Sequence, residues 1–107
     1  MRLIAIDPGT THSAFVVLKE GSIFIADIIP NEELRTNLLR DVADEMAIEM
    51  IEGLGMPVGK ETFETVFWIG RFCEAWRSGS EAHRVYRKEV KLHLCGNHRA
   101  KDANIRQ

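Results

Sequence analysis

Arg2 to Thr11 reads RLIAIDPGTT, and the fold follows from how this stretch is read. A short apolar run, Leu3 to Ile6, is stopped by Pro8-Gly9, the pattern of a buried strand ending in a turn. Asp7 therefore stands at a strand tip. Beyond the turn, His12 to Lys19 (HSAFVVLK) and Ser22 to Ile29 (SIFIADII) are two β-rich runs separated by Glu20-Gly21, the signature of a tight hairpin. The three runs predict an antiparallel meander. From Asn31, read as an N-cap followed by Glu32 and Glu33, the apolar residues Leu34, Leu38, Leu39, Val42 and Met46 recur at helical spacing and carry the chain back.

The next run, Met46 to Ile51 (MAIEMI), is short and apolar with Glu49 embedded in it. As a strand it puts Ala47, Glu49 and Ile51 on one face, just as Leu3, Ala5 and Asp7 share a face of the first strand. A helical connection makes these two strands parallel partners. Gly53 to Gly59 reads as a loop. Lys60 to Arg77 reads as a helix whose stripe of Phe63, Val66, Phe67, Gly70, Cys73 and Trp76 is expected to face the core. Trp68 falls off that stripe and is also expected to be buried. Ser78-Gly79-Ser80 ends the helix, His83 to Arg87 predicts a further strand and Lys88 to Leu94 a short helix. The final RAKDANIRQ starts like a helix with no stop signal, so the last element reads as cut short. The expected fold class is α/β: a mixed sheet, made of a three-stranded antiparallel meander plus parallel strands, flanked by helices.

At 107 residues, 45% hydrophobic and 28% charged, the chain suits one domain over residues 1–107 with one modest core. Its net charge of -2 hides an asymmetry: residues 1–59 hold four Lys/Arg against ten Asp/Glu, and residues 60–107 hold ten against six. Residues 83–107 alone carry seven basic side chains, which argues for a polyanionic partner. The two cysteines, Cys73 and Cys95, make neither a disulfide framework nor a C-x-x-C pair. With no signal-peptide pattern and no run of membrane-spanning length, the expectation is a cytoplasmic protein.

Carboxylates inside or at the end of apolar strands are costly, and two of them on neighbouring strands repel. A hard divalent cation resolves both problems, because Mg²⁺ takes a few carboxylate oxygens and completes its shell with water and phosphate. Asp7 and Glu49 are therefore the candidate ligands. Two such ions about 4 Å apart suit in-line displacement at a phosphodiester.

The residues around these acids resemble one family. Ile6-Asp7-Pro8-Gly9-Thr10 resembles the first-strand motif of RuvC Holliday junction resolvases, which are ribonuclease H-like, and Ala47-Ile48-Glu49 resembles their second catalytic strand. Val90-Lys91, Gly96, Ala100, Asn104 and Ile105 resemble that family's V-K-x₄-G-x₃-A-x₃-[QN]-[VI] pattern. The stretch GLGMPVGKETFET (Gly53 to Thr65) followed by WIGRF (Trp68 to Phe72) looks most like phage-encoded members. The resemblance implies a ribonuclease H-like sheet and Mg²⁺- or Mn²⁺-dependent hydrolysis of phosphodiesters in branched DNA by a homodimer. It implies that Asp7 and Glu49 bind metal and catalyse. Lys91 falls in the family's DNA-facing basic region, where Arg87, Lys88, Arg99 and Lys101 are its neighbours. Asp102 stands where the family has lysine, and is a weaker candidate ligand. The family's last acids lie on a C-terminal helix expected beyond Gln107, so the chain is expected to bind branched DNA better than it cuts it.

Other readings compete. I-D-P-G-T-T also resembles the first phosphate loop of actin-like and sugar-kinase proteins, but those place the nucleotide between two such domains. A non-catalytic DNA-binding or dimerisation module retains the same acids. Gly59-Lys60 opens a helix as a P-loop lysine does, yet Leu54 stands where Walker A has Gly, and Glu61 where it has Ser or Thr. His93, Cys95, His98 and Cys73 lack paired zinc-ligand spacing.

If the late basic segment contacts phosphate, replacing Lys91 and Lys101 by Ala should lower the slope of log affinity for branched DNA against log salt by about 1 per residue. An unchanged slope in a salt titration would show that the basic face is merely solvated.

Overall fold

The computed structural model of the chain describes residues 1–40, 42–51, 58–76 and 81–86. Arg2–Asp7 form β1, His12–Lys19 β2 and Ser22–Pro30 β3; Asn31–Leu38 form α1, Glu45–Met50 β4, Lys60–Ala75 α2 and His83–Tyr86 β5. The strands make one five-stranded sheet in the order β3-β2-β1-β4-β5. β1 to β3 are the expected antiparallel meander. β4 runs parallel to β1, and β5 parallel to β4.

The meander turns at Glu20 and Gly21, whose φ values of 51° and 80° are both left-handed, as a two-residue type I′ hairpin requires. Glycine takes that conformation without steric cost, whereas Glu20 needs support. It receives it from the amino terminus of Met1, which ion-pairs with the Glu20 carboxylate. A bulge between Val17 and Leu18 shifts the β2–β3 register next to this turn.

Strand alternation divides the sheet into two unlike faces. Ile4 and Ile6 of β1, Val17 of β2, and Met46 and Ile48 of β4 point to one side. There they meet Leu34 and Leu38 of α1, Ile69, Phe72 and Ala75 of α2, and Trp76 just beyond it, in a single core. The two helices are tied together at the surface by an Arg71–Glu32 ion pair at 2.9 Å. On the opposite side, Leu3, Ala5, Val16, Leu18, Ala47 and Val85 line an open groove of about 530 Å³.

Two expectations are corrected here. The core face of α2 is Thr65, Ile69, Phe72 and Ala75, not the Phe63 stripe. Phe63, Val66 and Phe67 are 64%, 47% and 58% exposed, Gly70 is exposed and Cys73 half-buried. Trp76 alone of that set is buried, because it leaves the helix in extended geometry (ψ 123°) and turns into the core. Trp68 is half-buried, with its ring 5.7 Å from that of Phe72. Likewise α1 ends at Leu38, so Leu39 is exposed and Met46 belongs to β4. The segment Lys88 to Leu94 and the chain terminus lie outside the described residues.

The reassigned helix face has a measurable consequence. Phe72→Ala should destabilise the chain by about 3–5 kcal/mol, as loss of a fully buried ring does. Phe63→Ala should stay within about 0.5 kcal/mol. Urea unfolding at concentrations that keep the chain monomeric compares the two, and equal losses would return the Phe63 stripe to the core.

Candidate metal and DNA-cleavage site

β1 carries Asp7 to the rim of the open face. Its last antiparallel pair is Asp7 with Ala14, and on its other side Ile6 pairs in parallel with Ile48. Asp7 and Glu49 follow those partners directly, on strands about 4.8 Å apart. Both side chains line the same groove as Ala5, Val16 and Ala47. The two acids expected to act together are therefore neighbours on one face. Asp7 is exposed and Glu49 half-buried.

Two carboxylates at an open rim form a set of hard oxygen donors, suited to Mg²⁺ or Mn²⁺ rather than to softer metals. Among the described residues no group of three or more His, Cys, Asp or Glu side chains converges. Asp102, and the basic residues Arg87, Lys88, Lys91, Arg99 and Lys101, lie outside the described residues. Further along the same strand face, His83 Nε2 of β5 lies 3.6 Å from Glu45 of β4.

The loop that follows Asp7 is held from beneath by residues that sequence reading assigned elsewhere. Asn31 is the first residue of α1, and the N-cap position belongs to Pro30. The Asn31 side chain is buried and does not cap its helix. It accepts a hydrogen bond from Ser13 Oγ at 2.6 Å and donates from Nδ2 to the Gly9 carbonyl at 3.0 Å. Ser13 Oγ in turn accepts the Gly9 amide at 3.0 Å, and the Asn31 backbone amide donates to the Thr11 carbonyl at 2.9 Å. In the sequence Ser13 is only one position of a β-rich run. Its role could not be found locally, since its partner enters from β3–α1.

Gly9 is required by close approach: a Cβ there would lie 2.2 Å from the His12 carbonyl oxygen. On the helix-covered side, Cys73 lies in a second groove with Val66, Gly70, Trp76 and Arg84. Burial pushes its thiol pKa up, against a smaller opposing pull from Arg84. A thiol raised in this way stays protonated at neutral pH and is a poor nucleophile.

Comparison of the sequence with protein-family profiles and with curated proteins finds no match. Comparison of the structure does. The chain is similar to Thermus thermophilus RuvC in complex with a Holliday junction substrate, with a TM-score of 0.70 and 15% identity over 88% of this chain and 69% of that one. A second T. thermophilus RuvC structure gives a TM-score of 0.68 and 17% identity over 92% and 71% of the two chains. Among the described residues, no helix is long and apolar enough to cross a membrane. The five-stranded mixed sheet with its flanking helices is the ribonuclease H-like fold in the form seen in RuvC.

Proposed function

We propose that this chain is a RuvC-like, Mg²⁺- or Mn²⁺-dependent endonuclease domain that hydrolyses phosphodiesters in Holliday junctions or related branched DNA. The observation that carries this reading is the parallel register that makes Asp7 and Glu49 neighbours on one sheet face. A fold shared with a junction-bound protein supports it. In this reading the carboxylate oxygens of Asp7 and Glu49 hold the cation. When bound, the cation would neutralise phosphate charge and lower the pKa of a water, so that it gives up a proton to solvent and attacks phosphorus more readily. The chain's own work is positional: β1 and β4 fix the spacing of the two acids. Arg87, Lys88, Lys91, Arg99 and Lys101 grip the DNA backbone.

A second reading, a DNA-binding or dimerisation module without catalysis, is favoured by one observation. Only two carboxylates meet at this rim among the described residues, and two-ion hydrolysis needs more oxygen donors than they supply. Asp102 is the remaining candidate within the sequence. A homodimer is part of both readings. The exposed Phe63, Val66 and Phe67 on α2 form an apolar stripe of the kind that marks an interface. Phe67→Glu should then shift the chain from dimer to monomer in analytical ultracentrifugation.

The decisive experiment is a four-way junction cleavage assay with Mg²⁺ or Mn²⁺, beside a binding assay on the same DNA. Asp7→Asn and Glu49→Gln should each abolish metal-dependent cutting while leaving junction affinity largely intact. Parallel loss of binding and cutting would assign the two acids a structural role. Binding without cutting by the unaltered chain would favour the non-catalytic module. Robust cutting that is lost in Asp102→Asn would make Asp102 the third ligand.

A further inference from the structure

We propose that Ser13 and Asn31 form a positioning clamp for Asp7, setting the exit of β1 so that its carboxylate stands beside Glu49 before any cation binds. This rests on the metal-binding reading of Asp7 and Glu49. Ser13 and Asn31 are each only 1% exposed, an unusual depth for two polar side chains unless their hydrogen bonds are satisfied. Their bonds close a ring around one residue. The Gly9 amide donates to Ser13 Oγ, Ser13 Oγ donates to Asn31 Oδ1, and Asn31 Nδ2 donates to the Gly9 carbonyl. Both polar groups of Gly9 are thus tied to the protein interior.

Between Gly9 and Asp7 stands only Pro8, whose ring locks its own φ. Asp7 itself is held on its other side by pairing with Ala14. The backbone carrying the carboxylate therefore has little freedom left. The absence of a Cβ at Gly9 permits this loop, since a Cβ there would lie 2.2 Å from the His12 carbonyl oxygen. The clamp spans three elements: Ser13 comes from β2, Asn31 from the start of α1, and the loop from the end of β1. It therefore couples the helix layer to the open face across the sheet. Groups hydrogen-bonded directly to metal ligands typically change affinity by about ten- to a hundredfold, and Ser13 and Asn31, acting through the backbone at Gly9, should fall at the low end of that range.

The test measures Mn²⁺ binding to the chain by calorimetry, at a temperature where circular dichroism shows each variant folded. Ser13→Ala and Asn31→Ala should weaken Mn²⁺ binding by about tenfold. Leu34→Ala, which removes a core side chain from the same helix, should lower the melting temperature yet leave the affinity of the folded protein unchanged. Ser13→Thr, which keeps the hydroxyl, should recover most of the affinity. Unchanged affinity in the folded Asn31→Ala chain would overturn the clamp while leaving the metal reading intact. Failure of the unaltered chain to bind Mn²⁺ in an Asp7-dependent way would overturn both. A further measurement needs no variant: the Gly9 amide should exchange with solvent slowly, and exchange at the rate of an open loop would also remove the clamp.

Discussion

Parallel pairing between β1 and β4 is the contact on which the other features of this molecule depend. Its register sets Ile4 beside Met46 and Ile6 beside Ile48, so that four large side chains enter the core together. Because side chains alternate along a strand, the same register turns Ala5, Asp7, Ala47 and Glu49 to the far side. Slippage by one residue would turn a carboxylate into the core and expose an isoleucine to water. Packing of the buried face thus enforces the adjacency of two acids that would otherwise avoid each other. The site draws its geometry from the hydrophobic core behind it.

Much of this was legible in the residues themselves. The hairpin could be read because Glu20-Gly21 is a local signal. The facing of Asp7 and Glu49 could be read because a period of two needs no knowledge of the partner strand. α2 was misread for a physical reason. It carries two apolar stripes at the same helical spacing, one of Phe63, Val66 and Phe67 and one of Ile69, Phe72 and Ala75, and spacing alone cannot say which one meets the sheet. Aromatic bulk favoured the wrong stripe, while Thr65, which lies in the core face, looked polar. Its hydroxyl is satisfied within the helix by the Glu61 carbonyl at 2.9 Å, so it can be buried at little cost.

Asn31 shows a different limit. An asparagine after Pro30 at the start of a helix is a strong local signal for a cap, and the chain does begin its helix there. What diverts the side chain is a serine from another strand, brought near only by the completed sheet. Local propensity placed the element correctly and assigned the side chain wrongly, because the better hydrogen-bond partners were non-local. The dense late run of basic residues could be read as a charge pattern and nothing more, since charge argues for a partner without specifying a geometry.

The crossover between β1 and β4 also governs when the carboxylate pair comes into being. β1, β2 and β3 are joined by short turns and can pair as soon as they leave the ribosome. β4 must wait until the whole meander and α1 have been made, and its docking closes a much larger loop. During synthesis the acids of a partly made chain are therefore far apart, and neither alone retains a divalent ion well. A cation bound by both would stabilise only the state in which the sheet is already closed. On the proposed metal-binding reading, occupancy of the rim would therefore mark completed folding, because the two acids meet only once β4 has docked beside β1.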